Sequence, residues 1–347
     1  MATIFKSFNV DTDQAITTTN LHEVIPITGT IVSGTYSPGD IDNNIKNYSH
    51  GMFQSVYDYP YLSSSANHVF DITVGYSAES DLSGAASTQN AKKINIYNQF
   101  AKVLVQPDIT GSIQDFDQDG NISGGGTKMQ ECFFLPFSRL LVKDEIKKGS
   151  TTFSIYTGST YATPNSALTI SDYNAQNDYK VNSPAGEYGL LYTSSADITI
   201  NSAVGHIYYQ AGIAVLTASI FATTVQSTFG STNEVVDAIL TGTLITGSTD
   251  GLRNRVNNLQ FNNTTELNSS IYFCRAAASE FNYSSNPTYL TGSKLTVKNT
   301  RTDSPVSYIT TIGLYSSDNV LLATAKLSEP LKKDPTNELT LRVRLDY

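Results

Sequence analysis

The last forty residues decide the fold class, because they form three apolar runs separated by turn-forming residues. The runs are Tyr308-Ile-Thr-Thr-Ile-Gly-Leu-Tyr315, Leu321-Leu-Ala-Thr-Ala-Lys-Leu-Ser-Glu-Pro-Leu331 and Leu341-Arg-Val-Arg-Leu-Asp-Tyr347. Apolar and polar residues alternate in the last run, which is typical of a strand with one buried face. Since the chain stops within this run, we expect its end to be paired in a sheet. Arg342 and Arg344 then lie on the face opposite Val343, where they are candidate contacts with a partner.

Short strand-like segments continue through the rest of the chain. Gly, Pro, Asn or Asp separates most of them, as expected for turns between strands. This pattern predicts a mainly β protein with short antiparallel strands, arranged as a sandwich or barrel-like body. The segments are 24–27, 30–33, 69–74, 152–156, 168–170, 190–192, 198–200 and 207–210.

About three helices interrupt the strands. The first spans Ala91–Leu104 and has Ile94, Tyr97, Ala101 and Leu104 on one face. A capping-box pattern, Ser231-Thr-Asn-Glu234, predicts the second, which would end at Gly242. The spacing of three apolar residues gives a weaker third helix: Leu252, Val256 and Leu259.

The helices suggest a division of the chain into three parts. Residues 1–225 form a β-rich body with the helix at 91–104. Residues 226–265 form a helical connector and an Asn-rich loop, since 242–251 is rich in turn residues and Asn257–Ser270 is rich in Asn and Thr. Residues 266–347 form a C-terminal β segment, which is either separate or packed back on the body.

The composition favours a protein that makes large contacts with other proteins. Charged residues make up 15% of the chain and hydrophobic residues 39%, with 21 Tyr, 15 Phe and no Trp. Neutral polar groups cost less to desolvate than charged ones, which suits assembly, although a β-rich protein also favours Thr and Tyr. The net charge is −9 and the 22 basic residues do not cluster, so we expect no nucleic-acid partner.

Cysteine use and the N-terminus indicate where the protein is made. Cys132 and Cys274 both lie in apolar runs, which favours buried free thiols in a reducing compartment over a disulfide. The first residues lack the pattern of a signal peptide, and the longest apolar run, 211–222, is too short to span a bilayer. We therefore expect synthesis in the host cytoplasm and no membrane partner.

One acidic segment is a candidate metal site. Asp115, Asp117 and Asp119 alternate and are followed by Gly120, as in the first half of a calcium-binding loop. The twelfth position of such a loop requires a bidentate Glu, but this chain has Gly126 there. Calcium is the one candidate cofactor, with a further ligand such as Glu131, and an exposed acidic turn is the alternative.

No pattern in the sequence predicts catalysis. The Gly-rich segment 124–128 lacks the Gly-Lys-Ser/Thr ending of a phosphate loop, and there is no Gly-x-Ser-x-Gly. The four histidines have no zinc-ligand spacing. We therefore expect that the protein is not an enzyme.

Two aromatic clusters are candidate contact sites, with core packing as the alternative. One is Tyr57-Asp-Tyr-Pro-Tyr61, which contributes Tyr57, Tyr59 and Tyr61. The other is Glu280-Phe-Asn-Tyr283, which contributes Phe281 and Tyr283. Aromatic side chains in loops often anchor protein interfaces.

Several longer segments give the chain a family resemblance. They are the C-terminal runs and six further segments. The six are Ala91-Lys-Lys-Ile-Asn-Ile-Tyr-Asn-Gln-Phe100, Phe116-Asp-Gln-Asp-Gly120, Ser138-Arg-Leu-Leu-Val-Lys-Asp-Glu-Ile-Lys-Lys-Gly149, Val181-Asn-Ser-Pro-Ala-Gly-Glu-Tyr-Gly189, Ile207-Tyr-Tyr-Gln-Ala-Gly212 and Glu280-Phe-Asn-Tyr-Ser284. In these segments, from about residue 68 to the end, the chain resembles the virion structural proteins of T4-like, contractile-tailed phages, in particular those that infect cyanobacteria.

The resemblance implies a location in the virion and a role in assembly. Its expected partners are other copies of the chain and neighbouring virion subunits of the tail, baseplate or neck. Two other functions stay open. The segment from Gly313 to Ala323 loosely resembles baseplate-proximal domains of tail fibres, and a receptor-binding or fibre-adaptor module is one alternative. A virion-associated glycan hydrolase is the other, since paired carboxylates meet only in space.

Overall fold

The computed structural model of the chain describes residues 5–28, 43–84, 87–122, 125–156, 167–199, 202–221, 244–253, 255–283 and 305–347, with 290–291, 294–295 and 302. These residues divide into two compact units. The large unit is Leu21–Thr265, and the terminal unit combines Met1–Asn20 with Glu266–Tyr347.

The described elements are mainly strands, which confirms the predicted fold class. The helices are α1 (Val10–Asp13), α2 (Thr88–Leu104), α3 (Arg139–Val142) and α4 (Ile245–Arg253). The strands are β1 (Gln14–Pro26), β2 (Ile45–Asn47), β3 (Gln54–Tyr57), β4 (His68–Tyr76), β5 (Phe116–Asp117), β6 (Lys128–Met129), β7 (Glu131–Pro136), β8 (Glu145–Ile146), β9 (Thr152–Tyr156), β10 (Ala167–Ser171), β11 (Tyr188–Tyr192), β12 (Ala203–Tyr208), β13 (Ile213–Thr217), β14 (Val256–Ala276), β15 (Leu290–Thr291), β16 (Lys294–Leu295), β17 (Ser307–Tyr315), β18 (Leu321–Lys333) and β19 (Leu339–Asp346).

The large unit is built on one open antiparallel sheet. Its strand order is β14-β9-β10-β11-β12-β13-β7-β4-β3-β2, and β8 also pairs with β14. The central strands are buried on both faces, since every residue from Cys132 to Leu135 and from Tyr188 to Tyr192 is buried. A strand that is covered on both faces loses the polar alternation of a half-exposed one, which is why these segments have continuous apolar runs.

Helix α2 packs against β4 through a close backbone approach. A Cβ atom at Gly75 would lie 2.6 Å from the carbonyl oxygen of Lys93, so only glycine allows this contact. Ser87 caps the helix by accepting a hydrogen bond from Asn90 N (3.1 Å). The predicted helix is confirmed, but its buried face is rotated. Lys93 and Ile96 are buried with Tyr97, Ala101 and Leu104, whereas Ile94 is only half-buried.

The segment Asn257–Ser270 is a strand, so its interpretation as an exposed loop was wrong. Two of its amide side chains are paired by hydrogen bonds within the fold. Asn258 accepts a hydrogen bond from Thr28 Oγ1 (3.0 Å), and Asn263 accepts one from Glu23 N (3.1 Å) and donates one to Leu141 O (3.0 Å). Amides that are paired in this way do not require solvent, which removes the reason for assigning a loop.

Five further local predictions have mixed outcomes. The segment 242–251, which was predicted to be rich in turns, contains most of α4. The third predicted helix is wrong beyond Arg253, because Val256 and Leu259 belong to β14. Residues 198–199 form no strand. The segments 30–33 and 231–242 lie outside the described residues.

The terminal unit has its own strand pairs. Its part of β14 pairs with β19, from Ser269 opposite Asp346 to Ala276 opposite Leu339. Tyr347 N donates to Asn268 O (2.9 Å) and Asn268 N donates to Tyr347 O (3.1 Å), which confirms that the end of the chain is paired in a sheet. β17 and β18 form a separate two-stranded hairpin, and so do the short strands β15 and β16.

The two units differ in their apolar cores. Among the described residues, the buried hydrophobic cluster runs from Ile25 to Phe261 and lies entirely in the large unit. In the described part of the terminal unit, the buried hydrophobic residues are Ala276, Leu314 and Val343. Hydrophobic burial is the main stabilising contribution to folding, so the terminal unit depends more on hydrogen bonds than the large unit does.

Asp172 is a fully buried carboxylate of the large unit. Asp172 accepts hydrogen bonds from Gly149 N (2.7 Å), Thr151 N (2.9 Å) and the Tyr209 hydroxyl (2.9 Å). Burial raises the pKa of Asp172 from 3.8 to about 6, although the three hydrogen bonds oppose this change. The folded chain therefore holds this proton more tightly than the unfolded chain does.

We predict that Asp172 makes stability fall as the pH rises from about 4 to about 6. Its contribution is fully present below the unfolded pKa of 3.8 and is lost as the pH passes the folded pKa of about 6. The free energy of unfolding of the wild type, minus that of Asp172→Asn, should decrease by about 3 kcal/mol from about pH 3 to about pH 7, and most of this decrease should fall between the two pKa values. Urea unfolding of both proteins measures this difference, in which the other carboxylates cancel. An increase with pH would mean that the hydrogen bonds outweigh burial.

Candidate assembly surface

The hairpin β17–β18 exposes large apolar side chains. Leu322 is 68% exposed and Tyr308 is 57% exposed. A two-stranded hairpin is marginally stable unless one of its faces is covered. The exposed apolar side chains of the hairpin and its turn are Tyr308, Tyr315, Val320, Leu321 and Leu322.

The two faces of the hairpin differ in burial. Opposed pairs on one face are half-buried or buried, namely Ile309 with Leu331, Ile312 with Ala325, and Leu314 with Ala323. The other face carries exposed residues, such as Thr311 opposite Lys326 and Gly313 opposite Thr324. The hairpin is therefore amphipathic, with further apolar groups at its turn.

A buried lysine fastens the base of the hairpin. Lys333 is fully buried, and its ammonium donates to Asn282 Oδ1 (2.7 Å), Asp334 O (2.9 Å) and Ala278 O (3.2 Å). On the opposite strand, Ser307 Oγ donates to the carbonyl oxygen of Phe281. A buried ammonium requires such acceptors, so both strands are tied to the loop before them.

The predicted contact residues Phe281 and Tyr283 lie in this loop and are half-buried. Phe281 has φ of 54°, in the left-handed region that a non-glycine residue adopts only when its surroundings require it. Glu280 accepts a hydrogen bond from Lys6 Nζ (2.7 Å), and this bond lowers the pKa of Glu280. The loop is thus placed to support the hairpin, and a contact role for its aromatic residues stays a prediction.

The predicted contact residues Arg342 and Arg344 are exposed, with Val343 buried between them. Arg344 Nε donates to Asp346 Oδ1 (2.6 Å), and Arg344 Nη2 donates to Ser269 Oγ (3.1 Å). The alternation predicted for the last strand is therefore present. Of the two arginines, Arg344 is engaged within its own unit.

The tyrosine cluster of the large unit lies at the end of β3. Tyr57 is half-buried and contacts Tyr61, with ring centroids 6.4 Å apart. Tyr59 and Tyr61 are exposed. Asp58 holds the loop by accepting hydrogen bonds from Asn67 N (2.6 Å) and Asn67 Nδ2 (2.8 Å). The loop thus presents two tyrosines on a fixed backbone.

The acidic segment folds around a lysine. Asp117 is buried and forms an ion pair with Lys128, while Asp115 accepts a hydrogen bond from Ser77 Oγ (2.7 Å). Asp119 Oδ1 accepts a hydrogen bond from Asn121 N (2.7 Å). In the described part of the chain, no three His, Cys, Asp or Glu residues come close enough to hold a metal ion.

Lys128 and Lys333 are the residues that sequence reasoning missed. Both donate hydrogen bonds to buried or half-buried polar groups, but neither belongs to a motif with fixed spacing. Lys128 pairs with a residue eleven positions earlier, and Lys333 reaches Asn282 across fifty-one positions. Burial raises the pKa of Asp117 and the hydrogen bond from Lys128 opposes that change, so the lysine does what a bound cation would do.

Both cysteines are free thiols, as predicted. Cys132 is buried and Cys274 is half-buried. Burial raises the pKa of each thiol, so neither is activated as a nucleophile.

Comparison with protein-family models, with curated proteins and with solved structures found no match to this chain. None of the helices in the described residues is long and apolar enough to cross a membrane.

We predict that Lys333→Met lowers the free energy of unfolding by about 2–4 kcal/mol, because Asn282 Oδ1 and Asp334 O lose the ammonium that donates to them. Ala278 O also loses this bond but keeps the one from Asn282 Nδ2 (2.7 Å). Lys332→Met is the matched control, since Lys332 is exposed and pairs with Asp334 at the surface (3.3 Å). The control should change stability by less than about 0.5 kcal/mol. Chemical unfolding measures both, and hydrogen exchange should increase in 277–283 and in β18 of Lys333→Met alone. Equal effects of the two variants would contradict the fastening role of Lys333.

We predict that Lys128→Met lowers the free energy of unfolding by about 2 kcal/mol at pH 7, because Asp117 loses its counter-charge in a buried position. Lys180→Met, which removes a surface pair with Asp178 (3.3 Å), should have almost no effect.

Calcium binding at this segment stays a prediction, and thermal unfolding tests it. A rise in melting temperature with excess calcium that Asp119→Asn removes would support a site. Equal melting temperatures in calcium and in chelator, for the wild type and for Lys128→Met, would exclude it.

Proposed function

We propose that the protein is a structural subunit of a contractile-tailed phage particle and acts by assembly in the tail, baseplate or neck. The exposed apolar surface of the hairpin β17–β18 carries this proposal. Monomeric proteins rarely leave contiguous apolar patches in water, and such patches mark interaction sites. The resemblance to virion structural proteins is the reason for proposing a phage particle as the location, and the hairpin is the proposed contact surface within that particle.

The weak core of the terminal unit supports the same function. Its described residues bury few apolar side chains, whereas the hairpin leaves apolar groups such as Leu321 and Leu322 exposed. Burying apolar surface stabilises by about 25 cal/mol per Å². A neighbouring subunit that covers the hairpin would therefore add the stabilisation that the terminal unit lacks by itself.

Neutral polar composition favours assembly over catalysis. The buried carboxylates Asp172 and Asp117 have structural partners, Tyr209 and Lys128. We therefore propose that the protein is not an enzyme. Turnover of a cell-wall substrate by the purified chain would contradict this proposal.

We predict that Leu321→Ser/Leu322→Ser lowers incorporation of the protein into phage particles by at least about tenfold, a loss that corresponds to about 1.4 kcal/mol of contact energy. Both side chains are exposed, so the variant should fold with an unchanged melting temperature. Leu140→Ser is the matched control, because Leu140 is 76% exposed in α3 of the large unit. Quantitative mass spectrometry of purified particles, from infections in which tagged variants compete with the wild type, measures incorporation.

Two outcomes would contradict the proposed function. One is the absence of the wild-type chain from purified particles. The other is full incorporation of the double variant, which would show that the hairpin makes no contact in the particle. Loss of incorporation in Leu140→Ser as well would indicate a general effect of apolar surface residues and not a role of the hairpin.

A receptor-binding or fibre-adaptor module is the second candidate, and the exposed tyrosines of the large unit favour it. Tyr59 and Tyr61 lie on a loop that Asp58 and Asn67 hold in place. Under this alternative, Tyr59→Ser/Tyr61→Ser reduces adsorption of particles to host cells while incorporation stays normal. The same infections provide particles for both measurements.

A further inference from the structure

The strands β2, β3 and β4 at one end of the large sheet carry a row of polar side chains on one face. Lys46 of β2 lies opposite Ser55 of β3, and Ser55 lies opposite Asp71 of β4. Directly opposed residues lie on the same face of a sheet, and we call this face the polar face of β2–β4. The opposed residues of the other face belong to the buried apolar core, namely Ile45, Val56 and Phe70. The polar face therefore lies on the side away from these core residues.

Asp71 is held in one orientation on this face, and one of its oxygen atoms has no protein donor. The Oδ1 atom accepts hydrogen bonds from Ser55 Oγ and from His68 Nε2 (2.8 Å). Among the described residues, no donor is bonded to the Oδ2 atom. The side chain of Asp71 is 27% exposed and that of His68 is 35% exposed, so a ligand can reach this pair from solvent. The second oxygen of a fixed carboxylate is therefore left to accept a hydrogen bond from a ligand.

A first group of aromatic rings lies beside the polar row, in the turn from β2 to β3. The ring centroid of Tyr48 is 5.1 Å from that of His50 and 4.7 Å from that of Phe53. The Tyr48 hydroxyl lies 3.2 Å from Ser55 Oγ, and the Lys46 ammonium lies 4.8 Å from the centre of the Tyr48 ring. These contacts join the aromatic group directly to the polar row.

A second aromatic group lies on the other side of the row, where β3 ends and β4 begins. The ring centroid of Tyr57 is 5.6 Å from that of His68 and 6.4 Å from that of Tyr61. His68 joins this group to the row through its hydrogen bond with Asp71. The rings of both groups are half-buried or exposed. The polar face of β2–β4 thus has hydrogen-bonding groups in its middle and aromatic surface on both sides.

We infer that the polar face of β2–β4 binds a neutral glycan. A sugar ring has C–H groups on its two faces and hydroxyl groups around its edge. Sites for small ligands combine aromatic surface with a few fixed polar groups that set the orientation. Here the sugar rings pack against the two aromatic groups, and a sugar hydroxyl donates to Asp71 Oδ2. The inference goes beyond the proposed assembly role and does not depend on it.

The distribution of charge favours a neutral ligand over an acidic one. The terminal unit contains ten basic and ten acidic residues, so the net charge of −9 lies entirely in the large unit. This charge repels polyanions, and Asp71 in the middle of the face repels a carboxylate or phosphate that comes close. An apolar peptide is also disfavoured, because it would cover the charge of Asp71 without supplying a donor. A neutral sugar supplies hydroxyl donors and carries no charge.

Isothermal titration calorimetry of the full chain with neutral hexasaccharides tests the inference. The probes are maltohexaose, mannohexaose and galactohexaose, with hexagalacturonic acid as the acidic counterpart. At least one neutral probe should bind with a Kd below about 1 mM, which corresponds to about −4 kcal/mol of binding free energy. The acidic probe should bind at least about tenfold more weakly, because its carboxylates meet Asp71 and the net charge of the large unit.

Asp71→Asn tests the hydrogen bond to the ligand. The amide retains one oxygen as the acceptor for Ser55 and His68, and it replaces only the Oδ2 acceptor by an NH₂ group. Binding of the neutral probe should therefore weaken by at least about tenfold, while the melting temperature stays close to that of the wild type. The matched control is Asp178→Asn, which changes a carboxylate that is 55% exposed and pairs with Lys180, and it should bind like the wild type.

Tyr61→Ala tests the aromatic part of the site. Tyr61 is 36% exposed, so its removal should leave the melting temperature unchanged and weaken binding by about three- to tenfold. Tyr173→Ala is the matched control, because Tyr173 is a tyrosine of the large unit with a similar exposure of 41%. This control should bind the neutral probe like the wild type.

Three results would overturn the inference. They are the absence of binding to every neutral probe, binding of the acidic probe as tight as that of the neutral ones, and binding that Asp71→Asn weakens no more than Asp178→Asn does. None of these results contradicts the proposed function, which depends on incorporation into particles. Conversely, glycan binding that responds as described in a chain absent from particles would refute the virion role and leave the inference standing.

Discussion

The uneven distribution of apolar burial is the constraint on which the rest of the structure depends. The buried hydrophobic cluster of the described residues lies between Ile25 and Phe261, inside the large unit. There the central strands of the sheet are covered on both faces and α2 packs tightly against β4. The terminal unit is held mainly by backbone pairing of β14 with β19 and by polar contacts around Lys333. Hydrogen bonds of this kind contribute only about 1 kcal/mol each, so the terminal unit has little reserve stability of its own.

Electrostatics divides the chain in the same way. The large unit carries the whole net charge and the terminal unit carries none. Inside the large unit, the charge of buried Asp117 is neutralised by an ion pair with Lys128. Burial raises the pKa of Asp172, which favours its uncharged form. A solvated acidic surface keeps molecules apart. The terminal unit has no net charge, so charge repulsion does not keep the terminal units of two molecules apart. Any association through this unit would depend on the shape of its surface and on its strand edges.

The sequence was sufficient where structure depends on neighbours along the chain. The alternation around Val343 and the helix at Ala91–Leu104 follow from local periodicity, and both are present. The sequence was insufficient where a distant residue decides the outcome. In the sequence, Asn263 favours a loop, but in the fold its amide is hydrogen-bonded to the backbone of Glu23 and Leu141. Likewise, no local pattern indicates that Lys333 is buried against Asn282.

The candidate sites show the same limit. Alternating aspartates in Asp115–Asp119 suggested a cation, but composition cannot show that Lys128 comes close enough to supply the charge. The contact residues on exposed strand positions, such as Arg342, could be placed on a face because a strand has a period of two. Those on loops, such as Phe281, could not, because the backbone of a loop has no fixed period and here adopts a positive φ.

Only one edge of the hairpin β17–β18 is protected against further strand pairing. This asymmetry distinguishes a hairpin that contacts another subunit from one that only stabilises its own chain. A hairpin that served only its own chain would gain from charges or proline on both edges, since an open edge invites uncontrolled pairing. The chain places such residues on β18 and none on β17. The open edge is also limited in length, because β17 ends at Tyr315. Because β18 is protected by charged residues and Pro330, the hairpin can add a strand only at β17. This asymmetry between the two edges supports the proposed assembly role of the hairpin.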